Sequence, residues 1–143
     1  MKILVSACLL GEPCRYDGQS KPCEAVLRLG EWHTLIPICP EVMGGLSTPR
    51  SPAEIQPDGR VVNRLGVDVT KQYRAGAEEA LRMAKDCSLA ILKEKSPSCG
   101  KGRVYDGSFT GTLCDGNGIC ASLLLANGID VLGETEVQEG ALA

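Results

Sequence analysis

The sequence predicts an α/β protein: a single compact, Rossmann-like unit with an open, mostly parallel four-stranded sheet and helices on both faces. Three observations lead there. Apolar runs too short for helices alternate with stretches of helical spacing. Those runs are nearly continuous, as in strands buried on both faces, rather than alternating as on a half-solvated sheet. The 143 residues, 43% hydrophobic and 23% charged, suit one domain over 1–143, with no repeat, low-complexity tract or linker.

Ile3-Leu4-Val5-Ser6-Ala7 reads as the first strand. It runs into Cys8-Leu9-Leu10-Gly11 and a turn at Asp17-Gly18. Ser20 is placed to cap a helix over 21–29, with Pro22 in its first turn and Gly30 beyond its end. Thr34–Ile38 is the second strand, and its Pro37 suggests a sheet edge. The stretch 43–57 is rich in Gly and Pro and reads as ordered loop, with a one-turn helix start at Ser51-Pro52-Ala53-Glu54 and a short strand at Val61-Val62. Segment 43–60 as a whole is expected to fold over the site as an ordered lid. Thr70 caps a predicted helix over 71–86, whose apolar stripe is Tyr73, Ala77, Ala80, Leu81 and Ala84. Leu89–Leu92 is the third strand, and a glycine-punctuated loop leads to Gly118. A helix over 118–127 ends before Gly128, Ile129–Leu132 is the fourth strand, and the acidic tail from Glu134 is expected to fray.

Fifteen basic against eighteen acidic side chains give a net charge of −3, which argues against electrostatic capture by nucleic acid or an anionic membrane. Five aromatic residues are few for a surface that stacks polymeric bases. No apolar run has the length a bilayer requires. Eight cysteines are the most informative feature. An even count suggests disulfides in a secreted chain, but the run before Cys8 is too short for a signal sequence, and Val5-Ser6-Ala7-Cys8 comes too early for a lipoprotein box. The expected compartment is the cytoplasm, where reduced cysteines act as ligands, reactive groups or small buried hydrophobes.

In an open parallel sheet, sites form beyond the carboxyl ends of the strands. Cys8 follows the first strand, Cys39 the second, and Cys99 lies in the loop leaving the third, so three distant thiols can meet at one sheet edge. No C-x₂-C pair is present, which removes zinc knuckles, thioredoxin-like pairs and ferredoxin runs. Glu41 stands two residues from Cys39 and is the nearest group for proton transfer, or else a turn carboxylate. Ser98 precedes Cys99, and Gly100 after it leaves room for close approach. Cys14 is a rival ligand, a sulfur-relay thiol or a packed side chain. Cys23, Cys87 and Cys120 read as buried filler, and Cys114 stays open. A single histidine, His33, excludes multi-histidine metal centres, and no phosphate-binding glycine motif occurs in a strand–turn–helix context.

Ser6-Ala7-Cys8-Leu9-Leu10-Gly11, Cys14-Arg15-Tyr16-Asp17-Gly18, Cys39-Pro40-Glu41, Pro49-Arg50 and Lys95-Ser96-Pro97-Ser98-Cys99-Gly100 span nearly the whole chain. Together they resemble a small bacterial cysteine-rich family that includes the iron–sulfur-dependent thiouracil desulfidases. The resemblance implies a [4Fe-4S] cluster on three cysteines with one iron open, matched here by Cys8, Cys39 and Cys99. It also implies Glu41 and Ser98 on the substrate side, and a thiolated pyrimidine base whose sulfur is replaced by water-derived oxygen without net redox change. Soft iron suits a sulfur-bearing substrate. Arg15 and Asp17, in the loop after the first strand, are candidates for holding the base edge, with an ion pair between structural groups as the plainer reading. The implied partner is a small thiobase rather than a polymer or membrane, and the cluster is expected to be lost in air. Two other classes compete: persulfide transfer through Cys14 or Cys99, and a non-catalytic, metal-stabilised binding domain.

Overall fold

A computed structural model describes residues 1–142. The chain begins with β1 (Lys2–Ser6), which tightens into a 3₁₀ turn at Ala7–Leu10. Then follow α1 (Glu24–Arg28), β2 (Thr34–Ile38) and α2 (Pro40–Met43). A hairpin of β3 (Ala53–Ile55) and β4 (Val61–Asn63) precedes α3 (Thr70–Met83). The second half runs β5 (Leu89–Leu92), the hairpin β6 (Arg103–Tyr105) and β7 (Leu113–Asp115), α4 (Ile119–Ala126), β8 (Asp130–Gly133) and α5 (Glu134–Gln138).

The principal sheet has four strands in the order β2-β1-β5-β8, all parallel. β2 is an edge, which accommodates Pro37. Two apolar layers cover the sheet. On one face Leu4, Ala90, Leu92 and Val131 meet α3 and α4 through Ala77, Ala80, Ala121 and Leu124. On the other, Ile3, Val5 and Ile91 meet Val26 and Leu29 of the α1 region and Val137 of α5. Each fully buried aliphatic side chain contributes about 1.5–3 kcal/mol by leaving water. The chain passes from β1 to β2 on one side and then crosses to β5 on the other. β1 therefore marks the point where the winding reverses, and a crevice opens above its carboxyl end.

The helix expected over 21–29 starts later, at Glu24. The amides of Lys21 and Cys23 are already bonded to the carbonyls of Cys8 and Leu9, which keeps that stretch out of the helix. Thr70 lies inside α3 rather than capping it, since its hydroxyl accepts from the Val61 amide and donates to Asp68. The helix start expected at Ser51–Glu54 is instead the approach to a strand. Ala53–Ile55 pairs with Val61–Asn63 around an Asp58-Gly59 turn. Ala53 and Val61 of this hairpin pack on Val69 and Tyr73 in a small apolar cluster of their own. The expected loop before Gly118 contains the β6–β7 hairpin. The tail expected to fray forms α5, docked through buried Val137 and an Nζ–Oε2 contact of 3.0 Å between Lys93 and Glu134. Among the described residues, no helix is long and apolar enough to cross a membrane.

Candidate functional site

Cys8 is fixed by the turn that ends β1. Its carbonyl accepts the amides of Gly11 and Lys21, closing the loop that brings Cys14 back toward the sheet edge. Cys39 flanks α2, whose first residue, Pro40, has no amide proton to waste in the first turn. α2 in turn lies backbone to backbone against α3. A Cβ on Gly76 would collide with the Pro40 carbonyl, and one on Gly44 with the Gln72 carbonyl. This contact brings Glu41 beside Tyr73.

Cys99 is set by the start of α4. The Ser98 carbonyl accepts the Cys120 and Ala121 amides at 2.9 and 3.1 Å, and the Ser96 hydroxyl accepts the Ser98 and Cys99 amides at 3.1 and 3.0 Å. A Cβ on Gly118 would strike the Ser98 carbonyl, so a small residue is needed for that approach. Buried Ser6, at the end of β1, accepts the Lys93 amide at 2.9 Å and ties the ends of β1 and β5 together.

These elements enclose a cavity of about 480 Å³ at the carboxyl edge of the sheet. Four thiols line it: Cys8, Cys14, Cys39 and Cys99. All eight cysteines of the chain are free. The Cys14 thiol is a hydrogen-bonding neighbour of both the Cys39 and Cys8 thiols, and Cys39 Sγ also lies 3.6 Å from the Cys14 carbonyl. Contact with Cys39 pulls the Cys14 thiol down, but contact with Cys8, burial and nearby charge outweigh it and raise its pKa to about 11. The bond with Cys14, followed by burial, pushes the Cys39 thiol well above the ordinary range. Burial first and neighbouring Cys120 second do the same to Cys99. Thiols so placed stay protonated unless a cation compensates them. Among the described residues, no three His, Cys, Asp or Glu side chains converge tightly enough for one metal ion.

Glu41 also lines the cavity, with its side chain 16% exposed. Its Oε1 accepts both Arg50 Nε at 3.1 Å and the Tyr73 hydroxyl at 2.6 Å. Burial, then the Glu41 charge, pushes the Tyr73 phenol far up, so Tyr73 remains a donor. Among the described residues neither bond falls on Oε2. Arg50 further donates to the Cys14 and Ser47 carbonyls at 2.9 and 3.1 Å, joining the Cys14 loop to α2.

The structure thus brings together Cys8, Cys39, Cys99 and Glu41, with Cys14 among them. Ser98 is buried beside Cys99 but, unlike Ser96, Pro97 and Cys99, lies outside the cavity lining, and its hydroxyl has no hydrogen-bond partner among the described residues. Asp17 lies outside the cavity lining. Its Oδ1 accepts the Gln19 amide, and it stands 4.0 Å from Arg15, which does line the cavity. Arg50 and Tyr73 received no site role from sequence. Tyr73 looked like one more member of an apolar stripe, although its phenol is the only polar head in that stripe. Arg50 ends the short motif after Pro49 and was the available signal.

The profile of the 2-thiouracil desulfurase family matches residues 3–136. An uncharacterized protein of Bacillus subtilis (strain 168), YbbK, is 41% identical over 148 residues, covering 96% of this chain and 98% of its own. Among solved structures, a [4Fe-4S]-dependent thiouracil desulfidase, TudS, is similar with a TM-score of 0.91 and 48% identity, covering 99% of this chain and 95% of that one.

Proposed function

From the premise that this chain belongs to the 2-thiouracil desulfurase family, we propose that it hydrolyses a thiolated pyrimidine base of the 2-thiouracil kind, without net redox change, in the reducing cytoplasm. The observation that most supports this reading is the meeting of four unbridged thiols and the Glu41 carboxylate on one cavity.

The donor set fits a [4Fe-4S] cluster. It is rich in sulfur, free of imidazole and too open for a single ion, as suits a larger group. Topology favours Cys8, Cys39 and Cys99 as the three ligands that leave one iron open. The contacts of Cys14 with Cys8 and Cys39 favour a second set, Cys8, Cys14 and Cys39. When bound, the cluster supplies a soft Lewis acid for the substrate's sulfur.

Glu41 takes a proton from the attacking water through Oε2, while Arg50 and Tyr73 hold Oε1. Ser98 lies behind the cavity wall at Cys99, and its hydroxyl reaches the departing sulfur only by turning toward the cavity. Arg15 binds the polar edge of the base, and Asp17 acts through Arg15. The balance is closed: one water enters, a C=S bond becomes C=O, and hydrogen sulfide leaves without electron transfer.

Anaerobically reconstituted protein mixed with 2-thiouracil tests the proposal. Sulfide and uracil released in equal amounts over many turnovers are expected. Colourless protein that accumulates persulfide would establish sulfur transfer instead, and iron-loaded protein that releases no sulfide would leave a binding module.

A further inference from the structure

Of the five aromatic residues in the chain, four line the cavity: Tyr16, Tyr73, Tyr105 and Phe109. Tyr73 is committed to Glu41. Phe109 is the only phenylalanine, yet it belongs to none of the three apolar clusters and is half-buried at the tip of the β6–β7 hairpin. A phenylalanine placed for stability would enter a core.

Its position is also actively held. The backbone of Phe109 has φ 59°, a left-handed conformation that bulky L-residues rarely adopt and that persists only where the surroundings enforce it. The enforcing group is Glu54, a buried carboxylate on β3 that also lines the cavity. Its Oε1 accepts the amides of Gly107 at 3.0 Å and Phe109 at 3.1 Å. Gln56 Nε2 donates to the Gly107 carbonyl at 3.1 Å, and a Cβ on Gly107 would stand 2.9 Å from the Ile55 carbonyl. The two hairpins are therefore latched to each other with Phe109 at the latch. Arg64, which lines the same cavity, places its guanidinium 5.8 Å from the centre of the Phe109 ring, covering one face.

We propose that the other face of Phe109 is the platform on which the planar heterocycle of the substrate stacks, and that Glu54 is the positioning residue that presents it. This rests on the desulfuration reading for the identity of the heterocycle. Stacking suits the task because it grips a flat ring without fixing its exocyclic atoms.

The test uses anaerobically reconstituted protein with matched iron content. Phe109→Leu should raise KM for 2-thiouracil about tenfold to a hundredfold, with kcat changed by less than about threefold because the reacting groups are untouched. Phe109→Trp should restore KM. Glu54→Ala should reproduce the rise, whereas Glu54→Gln, which keeps an acceptor oxygen, should largely escape it. A second readout needs no turnover. With Trp32, the 80% exposed single tryptophan, replaced by Phe, the emission of the Phe109→Trp protein should be quenched on saturation with 2-thiouracil. A KM unchanged in Phe109→Leu, or emission indifferent to 2-thiouracil, overturns the platform. If wild-type protein releases no sulfide, the desulfuration reading falls by itself, and the emission titration then decides the platform alone.

Discussion

Tyr73 donates its hydroxyl to Glu41 at 2.6 Å, onto the same carboxylate oxygen that receives Arg50. One oxygen of Glu41 thus receives two donors, which leaves Oε2 as the oxygen to take a proton in the proposed reaction. Glu41→Gln should retain iron and bind 2-thiouracil while turnover falls by roughly 10²–10⁴, the usual worth of a positioned base. Tyr73→Phe should retain both iron and KM and lower kcat by about tenfold, in line with the loss of one charge-assisted bond. Sulfide release at equal iron checks both. Near-native kcat in Glu41→Gln would move the proton transfer elsewhere.

Arg50 answers to stability rather than turnover alone. Its side chain is 7% exposed, and it joins Glu41, the Cys14 carbonyl and the Ser47 carbonyl. Arg50→Met strands a mostly buried carboxylate and two carbonyls at once. Loss of about 3 kcal/mol is expected, with a fall in Tm of roughly 10 °C. Arg50→Lys should recover little, because one ammonium cannot span the directions of a guanidinium fork. Thermal unfolding of the iron-free proteins measures this directly.

The contact between α2 and α3 gives a sharper structural test. Gly76→Ala inserts a methyl into the Pro40 carbonyl, and the collision is with backbone, which cannot rotate away. Overpacking of this kind costs about 1–3 kcal/mol. Gly76→Ala should therefore lower Tm and, by shifting α2, lower kcat as well. Ala75→Gly, one position along the same helix, should cost only the propensity difference of about 1 kcal/mol and leave kcat alone.

Acid should loosen α5 before the rest of the sheet. Burial opposes ionisation of Glu94, but bonds from Thr135 and the nearby Lys93 overcome it and hold the carboxyl below its usual range. The unfolded chain then binds the proton more readily than the folded one. The stabilisation is complete above the ordinary glutamate range and disappears as pH falls through the depressed folded value. Amide exchange of Val137 and its neighbours should accelerate in that acid window. Glu94→Gln should have faster exchange at neutral pH and lose most of the pH dependence.

Replacing Cys8 or Cys39 by Ala should abolish iron uptake, whereas Cys23→Ala, on the covered face of the sheet, should preserve it. Cys14→Ala and Cys99→Ala separate the two ligand sets: the one that loses iron names the third ligand. Iron content and the visible absorption of anaerobically reconstituted variants provide the measurement.

The main sheet was readable because its strands are short, apolar and bounded by turn residues, and the three sheet-edge thiols followed from topology. The strand at Val61-Val62 was legible, but its pairing partner and the whole second hairpin escaped, for different reasons. In the first, Asp58-Gly59 between Ala53–Ile55 and Val61–Asn63 was a usable turn signal, overridden by the apparent helix start at Ser51. In the second, the glycines around Arg103–Tyr105 masked strands only three residues long. α5 looked like a fraying tail because its anchor, Val137, is one apolar residue in an acidic run. Arg50, Tyr73 and Glu54 act through partners 9 to 55 residues distant, a relationship with no local periodicity to betray it.

The interleaved strand order also governs when the protein can mature. β1 lies between β2 and β5, so it lacks one neighbour until Leu89–Leu92 has been synthesised. The walls of the cavity come from positions as early as Ser6 and as late as Gly111. During translation the early thiols are therefore exposed on an unfinished chain that still lacks the later walls of the cavity. Loading of the proposed cluster is therefore expected only after the wall up to Gly111 is complete, with Cys8, Cys14 and Cys39 kept reduced until then.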